Sequence, residues 1–211
     1  KLLFIIQGEG RGHFTQALVM QELARSRGDE VVACLVGKSE HRRLPEYFLS
    51  KMKTPVESFV SPNFLPTAQN KRPNLVKSTL YNLLRLPRYV SGMKFIRDKI
   101  REYQPDIVVN FYELLTGLTY FFISPQVPMV CVGHQHMFLH RKFRFKKTFS
   151  IPMFSLRFFT RMTSLGASKK LALSFYPMPD DYKRGIIVVP PLLRKEVMQL
   201  QITDGDYIHG Y

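Results

Sequence analysis

The chain has 211 residues, 45% of them hydrophobic and 22% charged, enough for a full core and for one domain with an extra piece. No run of about 20 apolar residues is free of charge, which excludes a membrane-spanning helix. Lys and Arg outnumber Asp and Glu by 31 to 16, a net charge of +15, and such a surface selects an anionic partner: phospholipid, nucleic acid or a phosphorylated substrate.

The N-terminus enters a strand pattern directly, without the basic, apolar and small-residue parts of a signal peptide, and the missing Met predicts a trimmed chain. Lys1–Gln7 reads as a strand apolar on both faces. Gly8, Gly10 and Gly12 then form a turn into a helix over about His13–Ser26, ended by Gly28. Glu30–Val36 is a second strand, Arg43–Met52 a short helix, and Val56–Val60 a third strand. Pro62 to Pro73 is a polar loop. Asn74 to Tyr103 reads as helix, kinked or divided at Pro87.

Asp106–Asn110 is a fourth strand, Glu113–Ile123 a helix, and Pro128–Val132 a fifth strand. After a loop, Gly133–Lys147, comes a helix at about Ile151–Leu165 with Pro152 in its first turn. Lys170–Phe175 and Ile186–Val189 close the series. This alternation predicts an α/β fold: a doubly wound, mostly parallel, Rossmann-like sheet. Residues 1–190 form that domain, 191–206 a linker, and 207–211 the start of a second domain. Cys34 and Cys131 lie in apolar runs without disulfide or metal spacing, which suits a reducing compartment.

The glycine turn is the first candidate site. First-turn N–H groups of a helix attract anions, and glycine lets a ligand approach the backbone. A dinucleotide fingerprint is excluded by spacing: its third glycine belongs where His13 stands, and no acid ends the second strand. His13 either caps the helix or serves as a base held neutral by the helix dipole. In a doubly wound sheet ligands bind where strand order reverses, between strands one and four. Glu113 follows strand four there, and either orients His13 or caps its own helix. His134-Gln135-His136 follows strand five on the same edge. With no third ligand evident, it reads as a substrate loop rather than a metal site. Asp204-Gly205-Asp206 reads as a turn.

From Leu114 to Pro179 there is no acidic residue. Arg141, Lys142, Phe143, Arg144, Phe145, Lys146 and Lys147 alternate cationic and aromatic side chains and lead into the Phe-rich helix. Such a segment either lies on an anionic bilayer or forms an ordinary helix with a basic outer face.

Gly8-Glu9-Gly10-Arg11-Gly12-His13-Phe14-Thr15-Gln16-Ala17 resembles the opening loop of the acceptor domain of GT-B glycosyltransferases. The likeness is to the group that adds N-acetylglucosamine to a lipid-linked peptidoglycan precursor, or a sugar to diacylglycerol. Asp106–Asn110 with Leu115-Thr116-Gly117-Leu118 resembles the second glycine-containing loop, and Val127–Gln135 the third. Thr203–Tyr211 resembles the start of the donor domain. Glu9, Arg11 and Phe111-Tyr112-Glu113 depart from the pattern where the acceptor is touched.

The resemblance implies the N-terminal half of an inverting, metal-independent glycosyltransferase. Its donor is a nucleotide-sugar, UDP-linked, acting as co-substrate, with no cofactor. Its acceptor is a lipid or lipid-phosphate. His13 is then the base and Glu113 its orienter. Gly8, Gly10, Arg11, Gly12, Thr15, Gln16, His134 and Gln135 bind substrate or phosphate. The donor binds chiefly to a second domain. The expected location is cytoplasmic, at the inner face of the membrane. The alternatives are a nucleotide-sugar epimerase of the same architecture, or a non-catalytic basic module for membrane or nucleic acid.

Overall fold

The computed structural model describes residues 1–62, 82, 84–144 and 151–201. Seven strands form one sheet in the order β3-β2-β1-β4-β5-β6-β7, every neighbouring pair parallel. The strands are β1 (Leu2–Gln7), β2 (Val31–Lys38), β3 (Val56–Val60), β4 (Ile107–Phe111), β5 (Met129–Gly133), β6 (Lys169–Leu173) and β7 (Ile186–Val189). The helices, numbered along the chain, are α1 (Arg11–Ser26), α2 (Glu46–Lys51), α3 (Leu86–Tyr103), α4 (Leu114–Phe122), α5 (Ile151–Thr163) and α6 (Lys195–Met198).

Alternate side chains of β1 feed two cores. Leu3 and Ile5 pack with Leu35, Ile96, Val108 and Leu115 on the face covered by α3 and α4. Phe4 and Ile6 pack with Phe14, Ala17, Val36, Phe48 and Phe111 on the face covered by α1 and α2. Two buried faces explain why β1 reads as one apolar run, since a solvated face would have shown alternation. Cys34 and Cys131 are free and buried in these cores, and burial pushes the Cys131 thiol up to about 12, leaving it inert.

Pro87 sits in the first turn of α3, the position where its missing N–H costs nothing. The expected helix from Asn74 thus has a described start at Leu86, and residues 63–81 lie outside the described set. The expected linker contains α6, and residues 202–211, with Asp204-Gly205-Asp206, also lie outside the described residues.

The order reverses between β1 and β4, which are hydrogen-bonded neighbours. The loops after β1, β4 and β5 therefore meet at one carboxyl edge. A crevice there is the expected ligand site of an open α/β sheet.

Candidate active site

Three glycines open the site, but they serve different ends. A Cβ on Gly8 would fall 2.9 Å from the Gly37 carbonyl oxygen and 2.9 Å from Lys38 Cβ. The Gly8 N–H also donates to Gly37 O at 2.7 Å. Gly8 is therefore required by contact with β2 and has no donor left for a phosphate. Glu9 is likewise committed: its Oε1 accepts from the Ser39 N–H at 2.7 Å, and its carbonyl accepts from Arg42 at 3.2 Å. Gly10 is the N-cap of α1, in extended conformation and with no side-chain acceptor. The first-turn N–H groups of Arg11, Gly12 and His13 are those a helix leaves unpaired. Nothing lies within 4 Å of where a Gly12 Cβ would stand. No acid occupies that turn, so the dipole is uncompensated. Arg11 is exposed beside it. Thr15 faces its own helix, its hydroxyl donating to Arg11 O at 3.4 Å.

His13 is buried at the third position of α1. Its Nδ1 has no hydrogen-bond partner among the described residues. Burial lowers its pKa to about 4, Gln16 beside it acting the other way and His134 reinforcing the shift. The imidazole is therefore neutral at neutral pH, as a base must be, although its basicity is low.

Glu113 does not orient His13. It is fully buried and caps α4. Oε1 accepts from the Ser61 hydroxyl at 2.6 Å and the Leu115 N–H at 3.0 Å. Oε2 accepts from the N–H and the hydroxyl of Thr116, both at 2.6 Å. All four short-range donors point at the carboxylate, which leaves nothing for the imidazole. Burial raises its pKa, and these hydrogen bonds oppose the shift. The physical reason is local: an acid just before a helix start meets two unpaired N–H groups within three residues.

Tyr112 takes the place expected of Glu113. Its ring stacks on His13, centroids 5.7 Å apart and planes 17° apart. The backbone there is left-handed, φ 64°, a conformation that costs a non-glycine residue about 1 kcal/mol. Asn110 holds it, accepting from the Glu113 N–H at 2.8 Å and donating to the carbonyls of Glu113 and Thr163 at 3.1 and 2.9 Å. The phenol is fixed as well. Thr160 Oγ1 donates to Leu156 O at 2.8 Å, so Tyr112 is the donor in its 2.7 Å bond to Thr160.

The loop after β5 completes the crevice. Gln16 Nε2 lies 2.9 Å from His134 Nε2. An amide nitrogen can only donate, so that ring nitrogen accepts. Gln16 Oε1 and Gln135 Oε1 are buried without partners among the described residues. His136 is fully buried beneath them, edge-on to Tyr112 at 6.0 Å, with both ring nitrogens unpartnered. Its pKa falls to about 3, chiefly through burial, then through the charges of Lys170 and His13. Unpaired buried polar atoms on two elements, α1 and the loop after β5, both at one edge, are the mark of a polar ligand site. Among the described residues no group of His, Cys, Asp and Glu is arranged to hold a metal.

The basic-aromatic segment divides. Arg141 does not face outward freely: its Nε donates to buried Asp181 at 2.9 Å and its N–H to the same carboxylate at 3.0 Å. Phe143 packs on a small core of Met137, Leu139, Ala172 and Ile186 and on Phe138. Arg141 stays exposed while bound to that acid, and Phe143 is half-buried. Lys142 and Arg144 are exposed. Phe145, Lys146 and Lys147 lie outside the described residues. On α5, Ile151, Phe154 and Phe158 are 66%, 62% and 56% exposed.

An all-parallel α/β sheet with buried polar side chains gathered at its switch point defines a Rossmann-like domain. The family model described as glycosyl transferase family 1 matches residues 1–211, and the chain belongs to that family. The expected glycosyltransferase family is thereby met. A comparison with curated proteins found no match.

Among solved structures, the chain is similar to MurG of Acinetobacter baumannii, with 13% identity and a TM-score of 0.43, over 84% of this chain and 42% of that one. It is similar to a UDP-GlcNAc 2-epimerase of Neisseria meningitidis bound to UDP-GlcNAc, with 13% identity and a TM-score of 0.47, over 82% and 40%. A UGT transferase of Siraitia grosvenorii in complex with UDP gives 10% identity and a TM-score of 0.41, over 66% and 30%. The chain thus spans less than half the length of each.

Proposed function

We propose that this chain is the acceptor half of an inverting glycosyltransferase that moves a sugar from a UDP-linked donor to a hydroxyl of a lipid or lipid-phosphate. The observation that carries the reading is His13: buried, neutral, fixed by Tyr112, with an unpartnered Nδ1 in the switch-point crevice. Membership of a glycosyltransferase family supplies the reaction class.

The imidazole takes the proton of the acceptor hydroxyl as its oxygen attacks the anomeric carbon. The bond from that carbon to the donor phosphate breaks, and the nucleotide leaves with the electron pair. Attack from the face opposite the leaving group inverts the centre. The first-turn N–H groups of α1 with Arg11 hold a phosphate of the acceptor or donor. Gln16, His134 and Gln135 supply polar contacts to the acceptor. The donor is held chiefly by a partner domain.

A lipid acceptor draws support from the acid-free run Leu114–Pro179 and the exposed phenylalanines of α5. Together they make a cationic, apolar face suited to an anionic membrane surface. No helix among the described residues is long and apolar enough to cross a membrane.

The test is sugar transfer by the full-length protein, with product configuration read by NMR. His13→Ala should lower kcat by about 100-fold or more. Full activity of that variant rules out the base, and a product of retained configuration rules out direct displacement.

A further inference from the structure

We propose that the cleft between α5 and the start of β6 binds the phosphate group of an anionic ligand, at a place separate from the His13 crevice. The cleft measures about 330 Å³, and Arg157, Arg161, Lys170 and Arg184 line it together with Ser164 and Gly166. No acidic side chain lines it among the described residues. Arg157 and Arg161 stand four residues apart on α5 and so share one face. Lys170 is half-buried, its ammonium donating to the Arg184 carbonyl at 3.1 Å. Burial holds its pKa below the ordinary lysine value. Arg184 is anchored by the Leu139 carbonyl at 2.5 Å.

The Asp181 carboxylate lies 4.0 Å from Arg184. Arg141 already takes it at 2.9 Å. Cations gathered round a concave surface, one of them partly desolvated, repel one another unless an anion joins them. Two guanidinium groups and an ammonium match the several oxygens of a phosphate. The volume leaves room for the alcohol it esterifies. Phe154 and Phe158 stack on the same helix, centroids 6.4 Å apart, which would give the chains of a lipid an apolar neighbour. A soluble phosphate ester would use the charges alone. The site stands on this cleft and not on the sugar-transfer reading.

The experiment uses the full-length protein and two probes: inorganic phosphate, followed by calorimetry, and vesicles of phosphatidylcholine with or without phosphatidylglycerol. R157Q/R161Q changes two exposed side chains. R25Q/R27Q removes the same charge from the end of α1, outside the cleft. Phosphate affinity should fall about tenfold or more in the first pair and stay within about twofold in the second. Phosphatidylglycerol-dependent vesicle binding that phosphate competes away, and that R157Q/R161Q loses, assigns the phosphate to a headgroup. Phosphate binding with vesicle binding indifferent to R157Q/R161Q assigns it to a soluble ester. No phosphate binding by the unchanged protein, or equal losses in the two pairs, overturns the site.

Discussion

The ring of Tyr112 lies flat against that of His13, 5.7 Å between centroids, and its hydroxyl is anchored on Thr160 at 2.7 Å. The imidazole is thereby positioned by a π-face and a backbone turn, without a carboxylate. A carboxylate partner would stabilise the protonated ring. A stacked phenol fixes the ring plane and leaves the charge uncompensated. That agrees with a pKa lowered by burial to about 4.

The stacking makes a graded prediction. Tyr112→Phe keeps the ring and loses one hydrogen bond, so it should cost about 1 kcal/mol of stability and leave sugar transfer within a few-fold. Tyr112→Leu removes the flat face and should lower kcat by about tenfold or more. Steady-state kinetics of the full-length protein would decide. Equal loss in the two variants would show that the hydroxyl, not the ring, matters.

The carboxylate of Glu113 accepts from Ser61, Leu115 and Thr116. In Glu113→Gln the amide NH₂ replaces one of the two oxygens, and in either orientation it would face one fixed backbone N–H and one hydroxyl. We expect a loss of about 2–3 kcal/mol in urea unfolding. The acid limb of the pH–rate profile should not move, because Glu113 does not touch His13. A shift of that limb without loss of stability would return Glu113 to the role of orienter.

Acid should weaken the fold through two histidines. Burial lowers His13 to about 4 and His136 to about 3, against an ordinary value of about 6.5. Between about pH 6.5 and about pH 4 the unfolded chain takes up protons that the folded chain excludes. Stability is then full above about 6.5 and falls as pH drops, by up to about 3 kcal/mol for each group at pH 4. His136→Phe removes one of these groups and two unpartnered buried nitrogens. It should be at least as stable as the native protein at pH 7 and clearly more stable at pH 5, measured by urea unfolding at each pH. An unchanged slope would mean that His136 is hydrated or already charged.

Much of this was legible in the sequence. Alternating apolar strands and helices announced the parallel sheet, and all seven strands lie within two residues of the expected bounds. The glycine turn and His13 located the crevice because strand order alone sends β1 and β4 to the switch point. The roles of individual polar groups were less legible. Glu113 satisfied two local rules at once, helix cap and catalytic partner, and only the distances to Leu115 and Thr116 separate them. Tyr112 gave no signal, since a left-handed tyrosine depends on Asn110 bonding the turn. The ties of Arg141 to Asp181 and of Phe143 to Ile186 were not legible, because those partners come about 40 residues later.

Gly37 carries the last prediction. Its φ is not left-handed, so the reason for glycine is space: an added Cβ would stand 2.8 Å from Glu113 Oε1 and 2.9 Å from its Cγ. Alanine in a strand is otherwise better than glycine by about 0.5–1 kcal/mol. Gly37→Ala alone should therefore destabilise by about 2 kcal/mol, because the carboxylate is held by four hydrogen bonds and cannot retreat without breaking them. In a Glu113→Ala background the obstructing atoms are gone. There the same change should be neutral or stabilising. The coupling across this double-mutant cycle should reach about 2 kcal/mol, read from denaturant midpoints with matched slopes. Additive effects would mean that Glu113 has room to move, and with it that the cap is not the rigid floor on which Tyr112, and through it His13, is set.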